Sequence, residues 1–389
     1  MASLRDRREQ PRIPTVNIVT ALFFMASARL GSLNAMEQRF KEMGRRSRWR
    51  GRLGAWLPSA DRMGEVAALL EVDELRAGLY EHHRLRKRAK TLPPLMPGGV
   101  RVLVLDGHEL GASYLRNCSR CLERECTVAG EKHTQYYHRY VGAYLLTGGE
   151  RLMLDAELLE PGEGEIAAAT RLLERLLTHL PRAFDVVAGD ALYLHPDLCR
   201  RVLEANKDFV AVLKNENRDL IQDFRGLTAQ FEPRRLRYGA RSCLCHDIEG
   251  FESWTQLGHP VRVVSSQETW NLHRQHAKQT QPQTTQWLWA TSLPKKKAST
   301  AAIVNIGHRR WDIENQGFNE LDNHWGAGHI YHHDPIAILA ILLIIFLAYN
   351  LVHVWLARGL KPQLRRRHTA KHLVQHIKAA FYHEPEAPP

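Results

Sequence analysis

Three acidic residues stand where carboxylates could take part in shared chemistry: Asp106, Asp190 and Glu314. Two of them follow short apolar runs, 100–105 and 184–189, that are typical of buried strands. In α/β sheets, ligand-binding and catalytic groups concentrate where such strands end. The third lies on a predicted helix. Carboxylates that converge from three separate elements would bind hard cations such as Mg²⁺ or Mn²⁺.

A pair of divalent ions would allow this acidic cluster to catalyse reactions of phosphate esters. Two ions activate a water or a 3′-hydroxyl on one side of the phosphate and stabilise the leaving oxygen on the other. They also offset the repulsion between carboxylates and the phosphates of DNA. A plainer alternative stays open at this point, because a single Asp after a strand is usually a turn residue.

The elements that must position these residues follow a mixed order. A hairpin is predicted at 137–146 and 151–158, helices at 163–180 and 196–205, and a further strand at 209–213. Together with the two Asp-ending strands, this order predicts an α/β fold, a mixed sheet with flanking helices. A helix from about 308 should place Trp311, Glu314 and Phe318 on one face, at i, i+3 and i+7.

Composition divides the chain into five predicted parts. The β-rich part is polar and rich in Thr, Gln, Ser and Trp, and it precedes the Glu314 helix. The parts are a helical basic N-terminal region (1–95), a first catalytic part (96–214), a β-rich insertion (215–304), a last catalytic part (305–360) and a basic tail (361–389).

The chain carries a net charge of +12, with a pI near 9.5. Such an excess of Lys and Arg favours a polyanionic partner, either nucleic acid or an anionic membrane surface. Two basic clusters in the N-terminal region would contact DNA phosphates, although each cluster alone could be a solvated face. The clusters include Arg45, Arg46 and Arg48 in one case and Arg86, Lys87 and Arg88 in the other.

Residues 336–357 form an apolar stretch without any formal charge. Its length would allow it to span a bilayer, and the basic run that follows resembles an inside-positive flank. The alternative is a helix buried on all sides in a large core. The catalytic pattern in the rest of the chain favours the buried helix, no membrane partner and a cytoplasmic location.

A second metal site is predicted at Cys118, Cys121, Cys126 and His133, which have the spacing C-x2-C-x4-C-x6-H. Thiolate and imidazole are the ligands that zinc prefers. The alternative is a set of thiols without a metal, because the spacing is not that of a standard finger. Cys243 and Cys245 lack a nearby second pair and are predicted to be structural or incidental. The six cysteines of this long chain do not form a secreted disulfide scaffold.

The segment HRRWDIENQGFNEL (308–321) resembles the signature segment of bacterial insertion-sequence transposases of the DDE class. Asp106 within VLVLDG and Asp190 within VVAGDALY match the other two motifs of that family. The resemblance covers roughly 100–350. It implies a ribonuclease H-like fold with a β-rich insertion before the last catalytic helix, and two Mg²⁺ or Mn²⁺ ions held by the three carboxylates. It further implies cleavage at transposon ends and strand transfer into target DNA.

The same resemblance implies partners and a place in the cell. Its partners would be double-stranded DNA, as terminal repeats and as target, and a second copy of the chain when assembled on DNA. The location would be the bacterial cytoplasm, in association with the nucleoid.

The signature segment departs from the family pattern at two places. The family has a tyrosine, an arginine, the catalytic glutamate and a lysine at set spacings, and Arg310 fits the arginine that contacts DNA. The tyrosine position holds Gly307, and the lysine position falls on Leu321 or Asp322. Those two phosphate contacts are therefore in doubt, with Asn315, Asn319, His324, His332 and His333 as replacements.

The resemblance also points to a DNA-contacting tryptophan in the segment QWLWATS. Trp287 occupies the place of a tryptophan that stacks on a base flipped out of the DNA end, and Trp289 is the second candidate. The alternative is that both rings fill the core of the insertion. Two other functions compete with transposition: a ribonuclease H-like DNA nuclease without strand transfer, and a protein anchored in the membrane through 336–357.

Overall fold

A ten-stranded mixed sheet forms the centre of the molecule, seen in a computed structural model. The structure describes residues 4–43, 57–92, 96, 99–146, 150–214, 218–274 and 279–382. The strands are β1 (Val102–Ser113), β2 (Leu122–Val128), β3 (Glu131–Leu146), β4 (Leu152–Leu158), β5 (Val186–Gly189), β6 (Asp208–Val212), β7 (Arg234–Tyr238), β8 (Arg241–Phe251), β9 (Val261–Arg274) and β10 (Gln279–Thr291).

The order of the central strands is β4-β3-β1-β5-β6. Strands β4, β3 and β1 pair antiparallel, whereas β1, β5 and β6 run parallel. This arrangement confirms the α/β fold with a ribonuclease H-like mixed sheet. The polar region before the Glu314 segment forms an antiparallel extension, β10-β9-β8-β7, which joins the central strands where β10 pairs with β6.

Helices cover the sheet and continue the chain beyond it. They are α1 (Thr15–Ser27), α2 (Leu33–Glu42), α3 (Ala60–Ala67), α4 (Val72–Arg88), α5 (Glu165–His179), α6 (Pro196–Glu204), α7 (Arg218–Thr228), α8 (Thr300–Arg309), α9 (Asn319–Trp325), α10 (Pro335–Val354), α11 (Pro362–Arg367) and α12 (Ala370–Tyr382). Two π-helical segments, Ile313–Phe318 and Trp355–Gly359, precede α9 and follow α10.

Helix α10 is the apolar stretch noted in the sequence, and it lies inside the molecule. Among the described residues, one helix, Pro335–Gly359, is long and apolar enough to cross a membrane. However, 72% of its most apolar 18-residue stretch is buried inside the molecule. The helix contacts α1, α3, α4 and β4. The side chain of Asn350 pairs with both backbone groups of Met153, at 2.9 Å to the N–H and 2.7 Å to the carbonyl. The stretch is therefore a core helix, and its Asn350 provides hydrogen-bond partners for backbone groups of β4.

The N-terminal helices share this core rather than standing apart from it. Asp155 on β4 is fully buried and accepts hydrogen bonds from Arg76 and Tyr80 of α4 and from Arg175 of α5. One contiguous apolar cluster includes side chains from α1, the sheet and α10. The five-part division of the chain stays a prediction.

Two expectations about local structure are wrong. Strand β1 does not end before Asp106 but continues to Ser113, because it pairs with β3 along its whole length. Trp311 and Phe318 do not share a face, since Trp311 is exposed and Phe318 is buried. Residues 313–318 form a π-helical turn, which has more residues per turn than an α-helix. The i, i+7 spacing, which assumes an α-helix, therefore does not hold there.

Candidate active site

The two aspartates meet through the register of the parallel strands. Strand β1 pairs with β5 so that Val102 lies opposite Val186 and Val104 opposite Ala188. The same register, continued by two residues, brings Asp106 level with Asp190. Asp190 begins the turn after β5, where its Oδ1 accepts a hydrogen bond of 2.8 Å from the Leu192 N–H. Paired strands therefore fix the spacing of two carboxylates far apart in the sequence.

The third carboxylate reaches the same point from the π-helical segment. Arg310 links the two sides, because its Nη1 lies 3.4 Å from Asp106 Oδ2 and 3.5 Å from Glu314 Oε1. The charge of Glu314 also acts on Asp106 and raises its pKa. π-Helical turns occur frequently at functional sites, where they redirect one side chain. The structure thus brings together Asp106, Asp190, Glu314 and Arg310.

Asp106 is the carboxyl of this cluster whose acidity is most changed by its surroundings. Burial, and after it the nearby Glu314 and Asp190 carboxylates, raise the pKa of Asp106 to about 8 against the lowering effect of Arg310. A partly buried carboxylate beside two others is stabilised in its ionised form by added positive charge. The donors are all hard carboxylate oxygens, which suit Mg²⁺ or Mn²⁺. The donor chemistry therefore suits a divalent cation, and the binding of ions by these three carboxylates stays a prediction.

Arg310 lies inside this cluster rather than on the surface. Its side chain is 4% exposed, and its guanidinium lies 4.5 Å from the centre of the Trp311 ring. In this position it offsets the negative charge of two carboxylates. A contact between Arg310 and a DNA phosphate stays a prediction.

A fourth carboxylate, Glu165, was missed by the sequence reasoning. A Cβ on Gly107 would lie only 2.1 Å from Glu165 Oε2, so this buried side chain packs directly beside the Asp106 strand. Tyr193 donates a 2.8 Å hydrogen bond to Glu165 Oε1, and Arg139 lies 2.7 Å from Oε2. The sequence carried one weak signal, since Glu165 opens a helix whose position was predicted.

A family model described as the transposase DDE domain matches residues 100–351. The chain belongs to the transposase DDE domain family. The match contains all three carboxylates, together with β1, β5 and the π-helical segment. This transposase is therefore a nuclease-type enzyme that acts on DNA, and its family generally uses divalent metal ions. No curated protein matches the chain.

The two departures from the signature of insertion-sequence transposases have structural causes. Gly307 packs against Trp289, where a Cβ would come within 2.2 Å of the indole nitrogen. Leu321 is fully buried, and Asp322 pairs with His108 at 2.6 Å. None of these three residues supplies the tyrosine hydroxyl or the lysine ammonium of the family signature.

The two tryptophans differ in how much of each ring is accessible. Trp289 is 1% exposed, which rules it out as a plate for an extruded base. Trp287 is half-buried and lies nearly parallel to Trp289, with 6.1 Å between the ring centres. The edge of each ring also contacts His308. The geometry thus supports core packing for Trp289 and leaves one partly accessible ring at Trp287.

The predicted basic surface is corrected at one residue. Arg86 is buried and pairs with Glu150 and the Thr91 carbonyl, because helical periodicity places it on the inner face with Leu79 and His83. Lys87 and Arg88 are exposed on the outer face. Arg45, Arg46 and Arg48 lie outside the described residues.

The predicted zinc ligands are also corrected. Cys118 and Cys121 meet His138, and the three ligand atoms lie within 4.8 Å of one another. Cys126 and His133 instead pair with each other across β2 and β3, nearer the turn of that hairpin. Cys243 and Cys245 are buried in β8, as expected for structural thiols.

Proposed function

We propose that this transposase holds two Mg²⁺ or Mn²⁺ ions with Asp106, Asp190 and Glu314, cleaves DNA at transposon ends and transfers the cut strand to target DNA. The observation that carries the proposal is the meeting of three carboxylates around the partly buried Asp106, with Arg310 beside them. When bound, the ions would activate the attacking oxygen and stabilise the leaving one.

The protein side chains would contribute position and charge. Asp106 lies on β1 and Asp190 directly follows β5, and the pairing of these two strands holds the carboxylates in a fixed relation. Glu314 reaches them from a helical segment anchored by α10, whose Tyr349 hydroxyl donates a 2.6 Å hydrogen bond to the Gln316 carbonyl. Arg310 offsets part of the carboxylate charge and limits repulsion of the approaching phosphate.

The partners in this proposal are DNA and a second copy of the chain. Terminal repeats and target DNA would lie against exposed basic side chains, including Lys87, Arg88 and the basic residues of α11. Two copies would assemble on the DNA ends, as the resemblance to insertion-sequence transposases implies. We place the enzyme in the bacterial cytoplasm with the nucleoid, without a membrane partner.

The experiment uses full-length protein and a labelled duplex that carries the DNA end flanking the gene. Wild type should nick and join this DNA with Mg²⁺ or Mn²⁺ but not with EDTA. The variants Asp106→Ala, Asp190→Ala and Glu314→Gln should lose both reactions by at least about 1000-fold while retaining DNA binding. Asp197→Asn, an exposed acidic residue on α6, serves as the matched control and should keep both reactions. Cleavage that persists in EDTA, or in the three variants, would contradict the proposal.

The same experiment separates transposition from simple nuclease activity. A nuclease with the same metal site would nick the duplex yet form no joined product at any protein concentration. Inverted repeats in the DNA flanking the gene would favour the transposase. We expect joined products that require a 3′-hydroxyl at the cut end.

We further propose that Trp287 stacks on a base displaced from the DNA end. Its partial exposure beside the buried Trp289 supports this role, and a stacked base would extend the existing ring stack. Trp287→Ala should nick the first strand normally and be slowed about 10-fold or more in strand transfer, since stacking contributes roughly 1–3 kcal/mol. Equal loss of both steps would count against it.

A further inference from the structure

A compact cluster of two thiols and one imidazole lies apart from the carboxylates. Cys118 Sγ and Cys121 Sγ are 3.7 Å apart, and His138 Nε2 lies 3.3 Å from the first and 3.4 Å from the second. Tetrahedral zinc, with Zn–S of about 2.3 Å and Zn–N of about 2.0–2.1 Å, sets ligand separations of about 3.8 Å between sulfurs and about 3.5 Å between sulfur and nitrogen. The three atoms are thus spaced as ligands of a single ion.

The backbone around the cysteines also suits thiolates. The Cys118 N–H points to Cys121 Sγ at 3.2 Å, and the Cys121 N–H closes a turn on the Cys118 carbonyl at 3.1 Å. Hydrogen bonds to ligand atoms orient them and stabilise their charge. Both cysteines are free rather than joined in a disulfide.

The pairing of β2 with β3 holds the histidine in place. Leu122 lies opposite Tyr137, so the same register puts Cys121 opposite His138. His138 is 1% exposed and also lies opposite Leu110 of β1. The imidazole is therefore fixed by the sheet before any ion binds.

A second histidine approaches from the loop between α9 and α10. This residue, His333, lies outside the compact group of three ligand atoms. Its Nδ1 is buried and has no hydrogen-bond partner among the described residues. The same loop touches β1 through a 3.0 Å hydrogen bond from the Gly111 N–H to the Gly328 carbonyl.

We propose that Cys118, Cys121 and His138 bind one structural Zn²⁺ ion, with His333 as the fourth ligand. The ion would join three parts of the chain: the segment after β1, strand β3 and the loop that follows the Glu314-bearing helical segment. Its role is to hold that loop against the sheet. Zinc suits this site because two sulfurs and two imidazole nitrogens are a common ligand set for structural zinc.

The first test is the zinc content of full-length protein purified without chelators and washed with Mg²⁺. Wild type should contain about one zinc per chain, and the Cys118→Ser/Cys121→Ser double variant should contain less than about a tenth of that. The double variant Cys126→Ser/His133→Ala is the matched control and should retain its zinc. Asp190→Asn should retain it too, which separates this ion from the carboxylate site. Wild type without zinc, or full zinc in the Cys118/Cys121 variant, would overturn the proposal.

A second measurement avoids variants that fail to fold. In wild type, Cys118 and Cys121 should resist alkylation until a chelator is added, whereas Cys126 should react without it. Cobalt-substituted protein should show the visible absorption of a tetrahedral ion with thiolate ligands. A Cys118–Cys121 disulfide in the protein as purified, before any chelator is added, would contradict the proposal. His333→Ala should lose zinc to a chelator at least about 10-fold faster than wild type, and an unchanged rate would remove His333 from the ligand set.

Discussion

At the scale of single residues, the active site depends on close approaches that glycine permits. Gly107 leaves room for Glu165 beside the Asp106 strand, and Gly189 leaves room for Tyr193 beside Asp190, where a Cβ would lie 2.5 Å from the tyrosine Cβ. Real Cβ atoms do not come so near other atoms without a shift of the neighbour. The glycines next to the two aspartates therefore serve packing around the carboxylates.

Replacing Gly107 with Ala should disturb the site more than the fold. The new methyl group would meet Glu165 Oε2, which Tyr193 and Arg139 hold in place. We expect a loss of stability of about 1–3 kcal/mol and about a 100-fold loss of DNA cleavage, since a small misplacement of catalytic groups is costly. Urea unfolding and the nicking assay measure the two effects.

Gly78→Ala is the matched control for this substitution. Gly78 lies inside α4, and a Cβ there meets nothing within 4 Å. The change should keep full activity and raise stability by roughly 0.5–1 kcal/mol, because Ala is the better helix former. If the Gly107→Ala protein cleaves DNA at the wild-type rate, Glu165 moves away from the new methyl group without disturbing the site.

At the scale of elements, α10 supports the active site through two polar side chains in an apolar helix. Tyr349 holds the Gln316 carbonyl within the π-helical segment, and Asn350 holds the edge of β4. Both side chains are buried. The helix thus links the Glu314 segment to the sheet that carries Asp106.

Tyr349→Phe should loosen the Glu314 segment without emptying the core. Loss of one hydrogen bond should cost about 0.5–1.5 kcal/mol of stability. If Tyr349 positions Glu314, the Mg²⁺ concentration for half-maximal cleavage should rise about 10-fold while DNA affinity stays unchanged. A stability loss with unchanged metal dependence would assign Tyr349 to the core alone.

Asn350→Leu tests whether α10 is a core helix or a membrane segment. In the core, leucine would leave the buried N–H and carbonyl of Met153 unpaired, so the free energy of unfolding should fall by about 2–4 kcal/mol. Leu351→Ala, at an exposed position of the same helix, is the control and should cost less than about 1 kcal/mol. In a membrane segment, leucine at 350 would be neutral or favourable, so unchanged stability would count against a core helix.

At the scale of the whole molecule, one ionic network joins four parts of the chain. Glu320 of α9 contacts Arg29 after α1 at 3.7 Å, Arg151 before β4, and His353 of α10 at 3.0 Å. Burial, and after it the charges of Arg151 and Arg29, lower the pKa of His353 to about 3. The imidazole is therefore neutral in the folded protein and donates its Nε2–H to Glu320.

This network predicts sensitivity to acid. Because the folded pKa of His353 lies below the unfolded value of 6.5, the unfolded chain binds more protons between about pH 3 and 6.5. The free energy of unfolding should therefore fall as pH drops through that window. Between pH 7.5 and 5, the wild-type loss should exceed that of His353→Gln by about 1–2 kcal/mol. Equal pH dependence in urea unfolding of the two proteins would refute the assignment.

The sequence by itself determined the three candidate carboxylates and several of the elements that hold them. Strands β5 and β6 and helices α5 and α6 follow from local apolar patterns that need no distant partner. The three carboxylates follow from their motifs in family order. These features are encoded within short windows of sequence, where hydrophobic period and turn residues decide the structure.

Only the tertiary structure decided which side chains meet across elements. The zinc ligand is His138 rather than His133, because the turn at Ala129 and Gly130, both at positive φ, sets a register that brings Cys121 opposite His138. That dipeptide lacks the Asn-Gly signal by which such a hairpin turn is usually recognised. Likewise, helical periodicity can place Arg86 on the inner face of α4, but its ion pair with Glu150, a partner distant in sequence, is formed only in the folded chain. Pairings over such separations depend on the assembled core, which no local pattern contains.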